Sequence, residues 1–213
     1  KYHLNQRLTV YLLEIVEGLK GEELVVSRAN KGLLAGLFKR EVPEVAQGSV
    51  EIKDIAREPG SRSKIAVYSS QSGIDPVGSC VGQKGVRVQA VIQELGGLEK
   101  IDIVQWQENL KDYIGQALSP AKNVRVEINE DEKTAHVFVP SEELSLAIGK
   151  EGQNVRLASK LAGYRIEIEG EELEAKEPEK KDEEKAGTKV KKDVSKKQSV
   201  KKKVTKKPAT KTE

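Results

Sequence analysis

The chain has 213 residues, of which 33% are charged and 37% hydrophobic, so its length predicts one or two domains and its composition disfavours one large globule. Its net charge of +3 is uneven: residues 171–213 carry 15 Lys against 10 acidic residues, whereas residues 1–170 carry 22 basic and 24 acidic ones. Because the first 170 residues are not basic overall, nucleic-acid binding by bulk charge is excluded, and any such binding must rest on local patches.

A single cysteine, Cys80, excludes an intramolecular disulfide and a multi-cysteine zinc site and fits a reducing compartment, so we predict a cytoplasmic protein. No apolar run reaches membrane length and no charged-then-apolar leader opens the chain, so we expect no membrane association. The chain begins with Lys and contains no Met. We therefore expect it to be a piece of a longer protein.

Residues 1–29 predict two β-strands. A β-rich run extends from Leu8 to Val16, Gly18 and Gly21 flank a turn, and a second run covers residues 23–27. Two strands cannot bury a core unaided. This segment is either the end of a β domain or an edge hairpin added to the unit that begins at residue 30.

Residues 30–104 predict a mixed α+β unit. The pattern is helical over residues 30–45, where Pro43 closes the helix, and then predicts strands over residues 49–55 and 64–69. A helix–turn–helix comes next, and a strand over residues 100–104 ends the unit. We expect a three-stranded sheet covered by helices.

The turn of this helix–turn–helix is a Gly-x-x-Gly motif at residues 82–85. Asp75 is placed to cap the first helix and Pro76 to occupy its first position. Apolar residues recur at helical spacing after the motif and stop at Gly96-Gly97, which predicts the end of the second helix.

Residues 105–170 repeat this order. They predict a helix over residues 109–118, two strands around a turn at residues 129–133, and a second Gly-x-x-Gly motif at residues 149–152. A shift of 67 residues superimposes the two motifs, which indicates an internal duplication. In this copy we expect Ser141 to cap the first helix, Leu144 and Ile148 to face inward, and Gly163 to end the second helix. A strand over residues 164–168 finishes the unit, and the two units are expected to pack rigidly.

A turn framed by two glycines admits a large partner close to the backbone, because neither position carries a side chain. The turn also stands at the start of a helix, where unpaired N–H groups and the positive end of the helix dipole favour an anion. Such a loop is the backbone clamp of KH domains. One copy is weak evidence, but two copies in matching settings are much stronger.

Residues 171–213 predict a disordered tail, because charged residues dominate and little apolar surface is present. A lysine-rich tail can also hold RNA nonspecifically. Enzymatic chemistry is not indicated: His3 and His136 are the only histidines, and no catalytic set, metal-ligand cluster or nucleotide P-loop stands at useful spacing. We therefore predict no enzyme, no cofactor and no metal site.

The two motifs carry a family resemblance. Residues 73–87 read GIDPVGSCVGQKGVR and residues 146–158 read LAIGKEGQNVRLA. They resemble the first and second KH modules of the NusA family of bacterial transcription factors, and residues 1–29 look like the last strands of the OB-fold barrel that precedes those modules. The resemblance implies an α+β fold with tandem type II KH domains, divided as OB strands 1–29, first KH 30–104, second KH 105–170 and tail 171–213.

It also implies binding of nascent single-stranded RNA and a role in polymerase pausing, termination and antitermination. RNA polymerase would be a partner of the full-length protein, and we expect a monomer. The alternatives are a ribosomal or scaffold KH protein and the RNA-binding region of an RNA-degrading phosphorylase. The predicted RNA-binding residues are Val81, Gly82, Gln83, Lys84, Gly85, Arg87, Ile148, Gly149, Lys150, Glu151, Gly152, Gln153, Asn154 and Arg156.

Overall fold

The structure, a computed structural model, describes residues 3–171. The predicted tail lies outside the described residues except for Glu171. Within residues 3–171 the longest helix has eleven residues, and no described helix is long and apolar enough to cross a bilayer.

An antiparallel hairpin opens the described chain. It pairs β1 (Tyr11–Gly18) with β2 (Gly21–Ser27), so both predicted strands are present although the first begins at Tyr11 rather than Leu8. Large apolar side chains of the hairpin are exposed, among them Ile15 at 56% and Leu24 at 64%. Only these two strands of the predicted OB barrel lie in the described chain.

The first KH unit has the predicted order with one difference at its start. The predicted helix over residues 30–45 is two helices, because Val42 adopts an extended conformation and Pro43 begins the second one. Proline ends a helix from within but suits the first helical turn. The elements are α1 (Lys31–Glu41), α2 (Pro43–Ala46), β3 (Glu51–Glu58), β4 (Arg62–Tyr68), α3 (Pro76–Val81), α4 (Val86–Glu94) and β5 (Lys100–Gln105).

Its sheet has the order β3-β4-β5, with β3 antiparallel and β5 parallel to the central strand. One face of β4 carries Ile65 and Val67, which are fully buried in a cluster with Leu34, Phe38 and Val91 of the helices. Successive side chains of β4 point to opposite faces of the sheet, so Ile65 and Val67 share one face, and α1 and α4 pack against that face.

The second KH unit consists of α5 (Leu110–Ala117), β6 (Arg125–Asn129), β7 (Thr134–Pro140), α6 (Leu144–Ile148), α7 (Gln153–Ala162) and β8 (Arg165–Glu171). It repeats the order of the first unit and its sheet topology, here β6-β7-β8. Two details of the sequence prediction are wrong. The cap position of α6 is Glu143 rather than Ser141, and no side chain caps it; Ile148 is 37% exposed at the end of that helix, while Ala147 is buried.

A second hydrophobic cluster joins the two KH units. Ala66 and Val104 on the second face of the first sheet belong to the same buried cluster as Ile114 and Leu157 of the second unit. Lys64 is fully buried at this joint, where its Nζ donates to the Ser119 carbonyl at 2.9 Å and lies 3.4 Å from an Asp102 oxygen. Burial lowers the pKa of Lys64, and the Asp102 carboxylate opposes that shift.

Candidate nucleic-acid interface

The first Gly-x-x-Gly loop is built from its flanking helix ends. Asp75 caps α3 as predicted, since its Oδ1 accepts the Val77 N–H at 3.0 Å, and Pro76 is the first helical residue. Gly82 then adopts φ 74° and ψ 171°, a conformation that is essentially restricted to glycine. Lys84 has a left-handed backbone (φ 52°), as does Gly85, and α4 begins directly afterwards.

The second loop has the same backbone. Gly149 adopts φ 74° and ψ 175°, Glu151 has φ 52°, and Gly152 has φ 70° before α7 begins. Gly163 ends α7 in a left-handed conformation, as predicted. The duplication seen in the sequence is therefore a duplication of backbone geometry.

Both loops present side chains and backbone groups to solvent. Gln83 and Lys84 are exposed in the first loop, and Lys150 and Glu151 in the second. Gly85 and Gly152 stand at the cap positions of α4 and α7, where no side chain accepts from the first N–H groups. The N–H groups of Val86 and Gln153 donate to the carbonyls of Gln83 and Lys150, so an external acceptor would use the N–H groups of the residues that follow them.

Arg87 is committed to protein contacts rather than free to reach a ligand. Its Nη1 donates to the Ser79 carbonyl at 2.6 Å and to the Glu44 carboxylate at 3.0 Å, and about a third of its side chain is exposed. The Arg87 guanidinium is therefore already paired and is not free to contact a phosphate.

Asn154 must be removed from the predicted contact set. It is 1% exposed, and its Nδ2 donates to the carbonyls of Leu118, Leu146 and Ala147 at 3.0–3.2 Å. A side chain buried in this way cannot touch RNA unless the helix pair opens.

Gln153 and Arg156 are held by the hairpin turn of the first KH unit. Arg156 donates from Nε and Nη2 to the two Glu58 oxygens at 2.6 and 3.1 Å, and Gln153 donates to Glu58 and to Ser61 at 2.7 and 2.8 Å. These hydrogen bonds, from Arg156 first and then Gln153, lower the pKa of Glu58 to about 2.

Sequence reasoning missed Glu58 as part of this region. It lies 95 residues before Gln153 and 98 before Arg156, and its local pattern is that of an ordinary hairpin turn. Only the packing of the two units brings these groups together.

A surface cavity of about 590 Å³ adjoins the first loop. Its lining residues are Glu44, Gly78, Ser79, Gly82, Gln83, Val86 and Arg87. Cys80 lies behind this wall, fully buried, and burial raises the pKa of its thiol to about 12. Its position matches that of Ala147 in the second unit, which is also fully buried, so Cys80 has a packing role. Among residues 3–171, no three His, Cys, Asp or Glu side chains converge as a metal site.

Comparison with known proteins identifies both units. The family model of the NusA-like first KH domain matches residues 28–106, and that of the NusA-like second KH domain matches residues 110–176.

Three relatives, each called "Transcription termination/antitermination protein NusA", show the same likeness. The proteins of Halalkalibacterium halodurans, Thermus thermophilus and Bacillus subtilis are 52%, 53% and 51% identical over 170, 173 and 170 residues. Those matches cover 80%, 81% and 80% of this chain but only 44%, 44% and 46% of the relatives, so the chain spans less than half the length of each. Over its tandem KH domains, the chain belongs to the NusA family.

Proposed function

We propose that this chain binds single-stranded RNA across its two KH units and has no catalytic role. One observation carries the proposal: two Gly-x-x-Gly loops with the same backbone angles open to solvent in front of two helix N-termini. Such loops clamp a nucleotide backbone in KH domains.

In each loop the glycines let the sugar-phosphate backbone approach the main chain, and an exposed lysine supplies the countercharge. Partly buried Val81 and partly exposed Ile148 flank the loops and offer apolar contact for bases. The proposed contacts are Val81, Gly82, Gln83, Lys84, Gly85, Ile148, Gly149, Lys150, Glu151 and Gly152. Gln153 and Arg156 join this set only where Glu58 releases them.

Within the longer protein, we propose a role in polymerase pausing, transcription termination and antitermination, with nascent RNA as ligand and RNA polymerase as partner. The names of the relatives support this role. A cytoplasmic location and a monomeric state, both predicted from the sequence, complete the proposal.

The test is a pair of substitutions in the first loop. Gln83→Asp with Lys84→Asp should weaken binding of a labelled single-stranded RNA of about 12 nucleotides in fluorescence anisotropy. The two substitutions make the loop more negative by three charge units, which repels phosphate. Aspartate tolerates the left-handed backbone at position 84, so the circular-dichroism spectrum and melting temperature should stay nearly unchanged.

The matched control is Leu19→Asp with Lys20→Asp, which makes the same charge change at two adjacent exposed positions in the turn between β1 and β2. It should leave RNA affinity within about twofold of the original chain, since this turn lies about 20 Å along β2 from Ser27, where the hairpin joins the first KH unit, and this is more than a Debye length. Equal losses of RNA affinity in the two double variants would show that the first loop is not the RNA contact. Absence of RNA binding by the unaltered chain would favour a scaffold, and shortening of the RNA would indicate an enzyme.

A further inference from the structure

The two loops share a hydrogen bond that is hard to see in the sequence, because a different residue type donates it in each loop. Arg87 and Asn154 stand at the same place, five residues after the first glycine of each motif. Arg87 donates to the carbonyl of Ser79, and Asn154 donates to that of Leu146, which again occupy one shared position, three residues before that glycine. An arginine and an asparagine thus close the same bridge between the helices on either side of the loop.

Each bridge satisfies a carbonyl that the loop leaves without a helical partner. The last turn of a helix has carbonyls whose acceptor capacity is unused, and Ser79 and Leu146 lie in that turn of α3 and α6. These carbonyls are partly buried, and a partly buried carbonyl without a donor is unfavourable, so a donor from the next helix stabilises this turn.

The bridging residues also lie against the first glycine of each motif, whose backbone conformation already favours glycine. A Cβ on Gly82 would lie 2.8 Å from the Arg87 Cγ, and one on Gly149 would lie 2.7 Å from the Asn154 Cβ and 3.0 Å from its backbone nitrogen. The Arg87 side chain therefore passes directly over Gly82, whereas Gly149 lies against the Cβ and backbone of Asn154.

We propose that Arg87 and Asn154 are positioning residues that brace the two loops in their open, RNA-ready conformation, and that the charge of Arg87 is dispensable for this role. The neutral Asn154 makes the bridge without any charge, and the Arg87 charge is already paired with Glu44 at 3.0 Å. The effect on RNA rests on the proposed function; the effect on the loop does not. A loop held in its bound shape avoids the entropic cost of ordering when RNA arrives.

The backbone match makes one substitution decisive. Gly82 and Gly149 differ by 4° in ψ, and the residues that begin α4 and α7 differ by at most 5° in φ and ψ. Asparagine at position 87 should therefore reach the Ser79 carbonyl as Asn154 reaches that of Leu146, whereas alanine cannot. Gln89→Ala, at an exposed position on the same helix, is the control.

The first arm is hydrogen exchange by mass spectrometry on the full chain without RNA, read in the peptide covering residues 82–86. Arg87→Ala should speed exchange there by about tenfold, because one charge-assisted hydrogen bond and its carbonyl partner are lost. Arg87→Asn and Gln89→Ala should stay within about twofold of the original chain. Exchange in Arg87→Ala equal to that of the original chain would overturn the brace.

The second arm is RNA anisotropy at several salt concentrations with the same variants. The brace predicts that Arg87→Asn keeps its affinity and its salt slope while Arg87→Ala loses affinity. A direct phosphate contact predicts that both lose affinity and that both slopes fall by about 0.7; that result would overturn the proposal. If Arg87→Ala does not fold, Arg87→Asn alone decides, since it must retain both exchange protection and affinity. If the original chain does not bind RNA, the proposed function fails while the exchange arm still tests the brace.

Discussion

The first and second Gly-x-x-Gly loops have the same backbone conformation but different electrostatic surroundings. Their φ and ψ angles at Gly82, Lys84 and Gly85 agree within 7° with those at Gly149, Glu151 and Gly152. Yet the residue in the left-handed position is a lysine in the first loop and a glutamate in the second. Backbone shape and charge are thus set by different residues, the shape by glycines and bridging side chains, the charge by the two residues between the glycines.

The neighbours of the loops widen this difference. Arg156, one turn into α7, is neutralised by Glu58 of the first unit, and Gln153 is held by the same carboxylate. The first loop has no such carboxylate among its described contacts except Glu44, which pairs with Arg87. We therefore expect phosphate affinity to reside mainly in the first loop, and geometric constraint in the second.

The largest expected effect concerns shape. Gly149→Ala should lower the free energy of unfolding by about 3 kcal/mol, because Gly149 adopts a glycine-only conformation and the new Cβ meets Asn154. Gly152→Ala should lower it by only about 1 to 2 kcal/mol, since its backbone is left-handed and its nearest neighbour is 3.9 Å away. Urea unfolding followed by circular dichroism measures both. Equal losses would show that the first glycine has no special role.

The next effect concerns charge in the first loop. Lys84→Glu gives this loop the carboxylate that the second loop has at the same position, and it should weaken RNA binding by about tenfold in fluorescence anisotropy. Lys20→Glu makes the same charge change in the turn between β1 and β2 and should have little effect. A Lys84→Glu variant that binds like the original chain would remove the electrostatic distinction between the loops.

A smaller effect concerns the hydrogen bonds that tie Glu58 of the first unit to the residues after the second loop. Glu58→Gln should reduce the free energy of unfolding by about 1 kcal/mol at pH 7, because the bidentate ion pair with Arg156 is lost. Glu127→Gln, in an exposed ion pair with Arg125, should change it by less than about 0.5 kcal/mol.

The difference in free energy of unfolding between the original chain and Glu58→Gln should depend on pH in a definite direction. The folded-state pKa of Glu58 is about 2, below its ordinary value of 4.5, so its contribution is present above pH 4.5 and is lost as the pH falls toward 2. The stability difference between the original chain and Glu58→Gln should therefore shrink over that window. A difference that stays constant down to pH 2 would show that the charge of Glu58 is not involved.

The smallest effect is a gain. Glu151→Lys gives the second loop the charge of the first and should tighten RNA binding by about threefold, because one like-charge repulsion becomes an attraction. The gain is limited since Glu58 remains close to the start of α7. Weaker binding in this variant would indicate that Glu151 contacts the RNA directly, through a base rather than a phosphate.

The duplicated fold was accessible from the sequence because its signals are local. Glycine spacing, apolar periodicity, the Asp75 cap and the stop at Gly163 each act within one or two helical turns. The break at Val42 and the late start of α6 were missed, since a proline or a serine near a helix end fits more than one boundary.

The contacts that define the candidate site were not accessible. Arg87, Asn154 and Arg156 look alike in the sequence as polar residues on a helix after a loop. Whether each faces solvent, a carbonyl or Glu58 depends on the approach of another helix or of the other KH unit. Such approaches result from tertiary packing, which periodicity does not encode.

Hydrogen-exchange footprinting of the unaltered chain, with increasing amounts of single-stranded RNA, tests the unequal use of the two loops most directly. We expect protection in residues 82–86 at lower RNA concentration than in residues 149–153. Protection that begins in the second loop, or that reaches neither, would contradict the account.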